Sequence, residues 1–201
     1  MRPSVAIAFV ATELEGEELT FDPEPTRFGI TQSVYDAFRH LRGLPPRSVA
    51  QITQDEYVVI YSGNYWGVIH ASQLPDGLDL VLFQLAVNVG TGRAAKILQR
   101  VLGVTEDGAI GPATLAAVAS FSPSDLIDEV LNAQDAYYDD LVRSNPGRNA
   151  DYADGWHNRV TKTRLFLATG LTESGAAAGG GIFLGILALL ALAWFALRSS
   201  N

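Results

Sequence analysis

Apolar residues along most of this chain recur at helical spacing. Val5, Phe9 and Val10 form a first stripe that runs into an acidic stretch. Val34, Tyr35, Phe38 and Leu41 form a second, behind Thr31, whose hydroxyl suits an N-cap. Thr53 and Glu56 have the spacing of a capping box for a helix through Val59 and Ile60 towards Trp66. A near-continuous apolar run predicts a buried helix at 78–87, and another helix is expected at 93–102. Pro112 sits where a helix begins after a glycine turn, and Ser124 precedes a long helix carrying Leu126, Ile127, Val130 and Leu131. A last helix is expected at 152–167. Between 18 and 30, Pro23, Pro25 and Gly29 predict a loop or small hairpin, and no segment sustains the period-2 alternation of a strand. The fold class is mainly α, with at most a small β-hairpin. The run at 5–11 is too short for a signal peptide and lacks a small-residue cleavage site, so it reads as the domain's first helix.

The end of the chain has a different pattern. Residues 176–197 contain no charged side chain, and as a helix they reach roughly 33 Å, against a hydrocarbon core of about 30 Å. Trp194 and Phe195 lie near one end and Arg198 follows. This predicts one C-terminal transmembrane helix after a linker at 169–175, and hence a membrane-anchored, single-pass protein. Arg159, Lys162 and Arg164 precede that segment, a bias that favours the cytoplasmic side for what comes before it.

Composition removes several classes of function. The formal net charge is −8, which argues against nucleic acid as a partner, since that affinity rests on neutralising phosphates. There are no cysteines, and His40, His70 and His157 share no metal-ligand spacing, so no metal or other cofactor is expected. What remains is the acidic stretch. Glu13, Glu15, Glu17 and Glu18 crowd together directly after an apolar helix. One reading is a solvated, acidic helix end. The other is chemical: partial burial and neighbouring anions favour the protonated form of one carboxyl, which is what a general acid needs.

Several motifs bear on that choice. "LEGEELTFDPEPTRFGIT", "NYWGVIHASQLPDGLDLVLFQLAVNVGTGRAAKILQRVLGVTEDGAIGPATLAAV" and "GWHNRV" follow one another along the chain. In order and spacing they resemble glycoside hydrolase family 108, phage-type N-acetylmuramidases with an appended peptidoglycan-binding-like helical region. The resemblance implies a lysozyme-like helical domain that hydrolyses the β-1,4 bond between N-acetylmuramic acid and N-acetylglucosamine. It implies Glu15, in Glu15-Gly16, as the catalytic acid, with Asp22 and Thr31 as candidate partners that activate or hold water. Asp22 could equally cap its turn, and Thr31 could serve only as the helix cap. Tyr65 and Trp66 are candidate sugar-stacking residues or core anchors. Asn88 is a candidate contact to an N-acetyl group or a helix terminator. Asp107–Thr114 resembles the Asp-Gly-x-x-Gly-x-x-Thr signature of peptidoglycan-binding modules.

Three departures stand out: Glu17 and Glu18 replace a glycine and tyrosine of the family motif, the loop after Asp22 is shorter, and Gln84 stands where an aspartate is common. They keep a second reading open, a weak or inactive lysozyme-like protein that binds wall or assists membrane assembly. The expected organisation is a catalytic region at 1–90 and a helical region at 91–168, either separate or one compact domain. Expected partners are peptidoglycan, the membrane, and holin or virion proteins.

Overall fold

The computed structural model describes residues 1–21 and 23–170. It falls into two compact units, Met1–Val160 and Thr161 onward. In the first, helix α1 (Pro3–Phe9) runs into a π turn (Val10–Leu14). A two-stranded hairpin follows, β1 (Thr26–Arg27) and β2 (Ile30–Thr31), then α2 (Gln32–Leu41) and α3 (Gln54–Tyr61), which ends in a second π turn (Ser62–Trp66). The rest is helical: α4 (Leu78–Val89), α5 (Thr91–Leu102), α6 (Pro112–Val118), α7 (Pro123–Ser144), the short α8 (Pro146–Asn149) and α9 (Ala153–Gly170). The boundary between the units falls inside α9, and of the second unit only the last turns of that helix are described.

The core is built around α4. Every residue from Leu78 to Ala86 is buried, which a helix achieves only when it is covered on all sides. Each large apolar side chain so enclosed contributes about 1.5–3 kcal/mol. α5 and α7 pack on α4, and α1 packs on α3. Ala6 to Ala11 are all buried, so the first apolar run is a core helix of the domain. Asp79, 2% exposed, is tolerated in this core because its carboxylate accepts from the Gly77 and Leu80 amides at 2.9 and 2.7 Å and from the Met1 ammonium at 2.6 Å.

The expected helix starts are mostly where the caps placed them. Thr31 accepts from the Val34 amide, the Thr53–Glu56 capping box forms, and Pro112 opens α6. The long helix begins two residues earlier than a cap at Ser124 implies, with Ser122 at its N-cap and Pro123 in its first position. The expectation of a membrane-spanning helix, and of a membrane-anchored location, is corrected: among the described residues, no helix is long and apolar enough to cross a membrane. Residues 176–197, on which that expectation rested, lie outside the described residues, as do 171–175 of the expected linker at 169–175, whose first two residues belong instead to the end of α9.

α2 and α3 are held together by a charged cluster. Glu56 accepts from Arg39 at 2.8 Å and from the Tyr35 hydroxyl at 2.8 Å, and also pairs with Arg47. Burial pushes the Glu56 carboxyl up, but the Thr53 amide, the Tyr35 and Thr53 hydroxyls and the Arg47 charge together hold it below the usual carboxylate range. A carboxyl lowered on folding contributes stability that is complete above its unfolded value of about 4.3 and is lost as the pH falls through its folded value. Glu56→Gln is expected to lower stability by about 2 kcal/mol at neutral pH and to flatten the acid side of the stability curve. Thermal unfolding from pH 7 down to pH 3 checks this: parent and variant curves should converge as acid is added.

Candidate active site

Glu15 closes the first π turn. Its amide donates to the Val10 carbonyl at 2.9 Å, the i−5 bond of a widened turn, and the Thr12 hydroxyl donates to the Ala8 carbonyl at 3.0 Å. Widening the helix at its end turns this carboxylate out of the helical stripe that precedes it.

The side chain then meets the tip of the hairpin. Thr26 pairs with Thr31 and Arg27 with Ile30, leaving Phe28 and Gly29 as a two-residue turn, with φ of 51° and 67°. Positive φ at both positions is the geometry whose twist suits a tight hairpin. At Gly29 the lack of a side chain matters twice, since a Cβ there would lie 2.7 Å from both Cγ and Oε2 of Glu15. The turn is anchored on both sides: the Phe28 amide donates to the Gly16 carbonyl at 3.1 Å, and the buried Tyr61 hydroxyl donates to the Phe28 carbonyl at 2.6 Å.

Three further side chains complete the surroundings of Glu15. Arg159, on α9, donates from Nη2 to Glu15 Oε1 at 2.6 Å; the arginine side chain is 9% exposed and the glutamate 19%. Burial, and then the charge of Glu15, push the Tyr61 phenol well above its ordinary value; the same two causes raise Tyr65. The Tyr61 and Tyr65 rings lie 5.8 Å apart. A part-exposed carboxylate thus sits among a glycine turn, a guanidinium and two phenols.

The other expected site residues are distributed around this centre. Tyr65 is half-buried within the field of Glu15. Thr31 lies at the base of the hairpin, two strand residues or roughly 7 Å from its glycine tip, where its hydroxyl meets Ser33 Oγ at 3.0 Å as well as capping α2. Trp66 is 5% exposed, with its indole N–H donating to Ser72 Oγ at 2.9 Å and its ring edge-on to Phe83. The Asn88 side chain accepts from the Tyr138 hydroxyl at 2.8 Å. Asp22 lies outside the described residues.

Gln84 belongs to the same buried network as Asn88. It donates to Gln134 Oε1 at 2.6 Å, and Gln134 donates back to Gln84 at 3.3 Å and to the Tyr138 hydroxyl at 2.8 Å. An amide at position 84 can donate and accept at once, as a reciprocal pair with another amide requires. Burial pushes the Tyr138 phenol up to about 12, partly offset by the hydrogen bond from Gln134 and the Arg159 charge. The ring of Trp156 stacks on Tyr138 with centroids 5.3 Å apart, which fixes the turn of α9 that carries Arg159. Arg159 is the residue that sequence reasoning missed as part of the site. Its signal lies in "GWHNRV", a motif of the family resemblance, in which the arginine itself reads as a positive charge ahead of the apolar tail.

Comparison with known proteins matches two parts of the chain. The family model described as "Glycosyl hydrolase 108" matches residues 15–90, opening at Glu15. The one described as "Predicted Peptidoglycan domain" matches residues 93–161, which include Arg159. No curated protein matches the sequence. Among solved structures, the chain is similar to SagA of Brucella abortus, with a TM-score of 0.66 and 29% identity, covering 81% of this chain and 91% of that one. With a region similar to glycosyl hydrolase 108 leading into one similar to a peptidoglycan domain, the chain is a glycoside hydrolase acting on peptidoglycan.

Proposed function

We propose that the enzyme is a muramidase, cleaving the β-1,4 bond between N-acetylmuramic acid and N-acetylglucosamine with Glu15 as general acid. The observation that carries this reading is the seating of Glu15, with Oε1 on Arg159 and Oε2 against the glycine tip of the hairpin, in a side chain still open to solvent. Cleavage requires a proton on the leaving glycosidic oxygen while positive charge develops at the anomeric carbon. Oε1 is occupied by Arg159, so Oε2 carries the proton that is given up. The carboxylate left behind is met at once by the guanidinium, without any rearrangement of the protein. Tyr61 spends its hydroxyl on the Phe28 carbonyl and holds the turn, while the ring of Tyr65 offers a sugar a flat apolar face. Asp22 is the second carboxyl in this reading, activating a water that Thr31 helps to hold; both roles rest on the family motif. A place in phage or prophage lysis rests on that resemblance alone.

Product analysis tests the bond specificity. Purified peptidoglycan digested to completion and then reduced with borohydride is expected to yield fragments ending in reduced N-acetylmuramic acid. Fragments ending in reduced N-acetylglucosamine would show that the neighbouring bond is the one cut.

A further inference from the structure

A concave feature lies on the same unit as the site, lined by other residues. Its volume is about 320 Å³, at the low end of the range for ligand pockets. One wall is Val68, Ile69 and His70, and the other is Ala95 of α5 with the turn through Gly108 and Ile110. The first wall belongs to the region matched as glycosyl hydrolase 108 and the second to the peptidoglycan domain. The cleft is also one helical turn from the active site, because the Ile69 amide donates to the carbonyl of Tyr65 at 3.0 Å.

The Asp-Gly-x-x-Gly-x-x-Thr signature builds this cleft. Gln99, 1% exposed, donates from Nε2 to Asp107 Oδ1 at 2.6 Å, to the Ala109 carbonyl at 2.9 Å and to Thr114 Oγ1 at 3.1 Å. It accepts from the Gly108 amide at 2.9 Å. Asp107, Gly108 and Thr114 thus all bond to a single buried amide, and the signature is a device for fixing the turn against α5. At Gly108 a Cβ would stand 3.2 Å from both the Gly92 carbonyl oxygen and Lys96 Cε, so the stem of Lys96 runs along the rim.

The chemistry of the lining selects the occupant. Among the described residues that line it there is no Phe, Tyr or Trp, so a pyranose finds no flat ring to stack on. Val68 is 52% exposed, and Ile69, Ala95 and Ile110 form a floor suited to methyl groups. The Gln73 side-chain amide and His70 Nδ1 lie 3.3 Å apart, which holds the imidazole in the lining as a polar group beside the apolar floor. Of the acids nearby, Glu106 is held by Arg100 at 2.9 and 2.8 Å and Asp107 by Gln99 and the Ala109 amide. Lys96, whose charge reaches both acids, makes a close ion pair with neither among the described residues and stands on this rim as a cation for a ligand. Small methyls beside free carboxylates, with no sugar ring, describe the peptide stems borne by peptidoglycan.

We propose that this cleft binds the stem peptide of the strand whose glycan lies at Glu15. The inference rests on peptidoglycan as the substrate and adds which part of it the helical region reads. Two substrates separate the two ideas: intact glycan strands with stems, and strands stripped of stems by an amidase. Lys96→Glu is expected to raise KM about tenfold on stem-bearing strands, with kcat unchanged and with no effect on stripped strands. A KM unaltered on both substrates, or raised equally on both, overturns the proposal. A readout independent of turnover uses the free tetrapeptide L-Ala–D-Glu–diaminopimelate–D-Ala, titrated into the folded Glu15→Gln protein and followed by amide NMR. Shifts at Gly108, Ile110 and His70 that vanish in the Lys96→Glu background are expected. Shifts confined to the surroundings of Tyr65, or none at millimolar peptide, would overturn the proposal even if the chain cuts glycan normally.

Discussion

Alanine at Gly29 is expected to cut turnover about 100-fold while leaving a folded protein. The added methyl would lie 2.7 Å from Cγ and Oε2 of Glu15, closer than non-bonded atoms come, so one of the two must move. The yielding group is the far end of a flexible side chain, which makes the collision cheap for folding. In the proposed mechanism it is costly for chemistry, because that end would bear the proton to be transferred, and a displacement of about 1 Å at a reacting group costs on the order of 10²-fold. The backbone adds a separate effect, since φ at Gly29 is +67° and a side chain there costs about 1–2 kcal/mol. Gly103 isolates the two contributions: its φ is +68° and its missing Cβ would meet nothing within 4 Å. Gly103→Ala should therefore lose similar stability and keep its kcat. Melting temperature and initial rate, measured on both variants, decide the matter: equal rates in the two would mean that the turn does not hold Glu15.

Much of the helical frame was legible because its signals are local. Thr31, the Thr53–Glu56 pair and Pro112 act on backbone groups within a turn of themselves, and each does what its spacing predicts. The start of α7 was misplaced because Ser122 and Ser124 flank Pro123, and only the proline's place in the first turn distinguishes them. The π turns before Glu15 and after Tyr61 could not be read, since a widened turn uses the same residue types as an ordinary one. The acidic cluster was read through its neighbours in sequence, all anions. The charge that the fold brings to Glu15 is Arg159, a cation 144 positions away, and no local period encodes that pairing. Trp66 and Asn88 share the opposite lesson: residue types suited to sugar binding here make hydrogen bonds to Ser72 and Tyr138.

Glutamine at Glu15 is the other large effect. It preserves the side chain's size and an oxygen for the Arg159 guanidinium, but it has no proton to give. Loss of general acid catalysis costs typically 10²–10⁴-fold, about 3–5 kcal/mol of barrier. Folding should survive, because Glu15 is part-exposed and the amide still accepts from Arg159 at the same place. Glu17 and Glu18 are exposed and follow Glu15 after Gly16, so glutamine at either is expected to act far more gently. The decisive measurement is the rate at which purified peptidoglycan releases new reducing ends with parent or Glu15→Gln protein, circular dichroism confirming that both are folded. The account predicts a fall of 10²–10⁴-fold in the variant; an undiminished rate in a folded Glu15→Gln protein would contradict it.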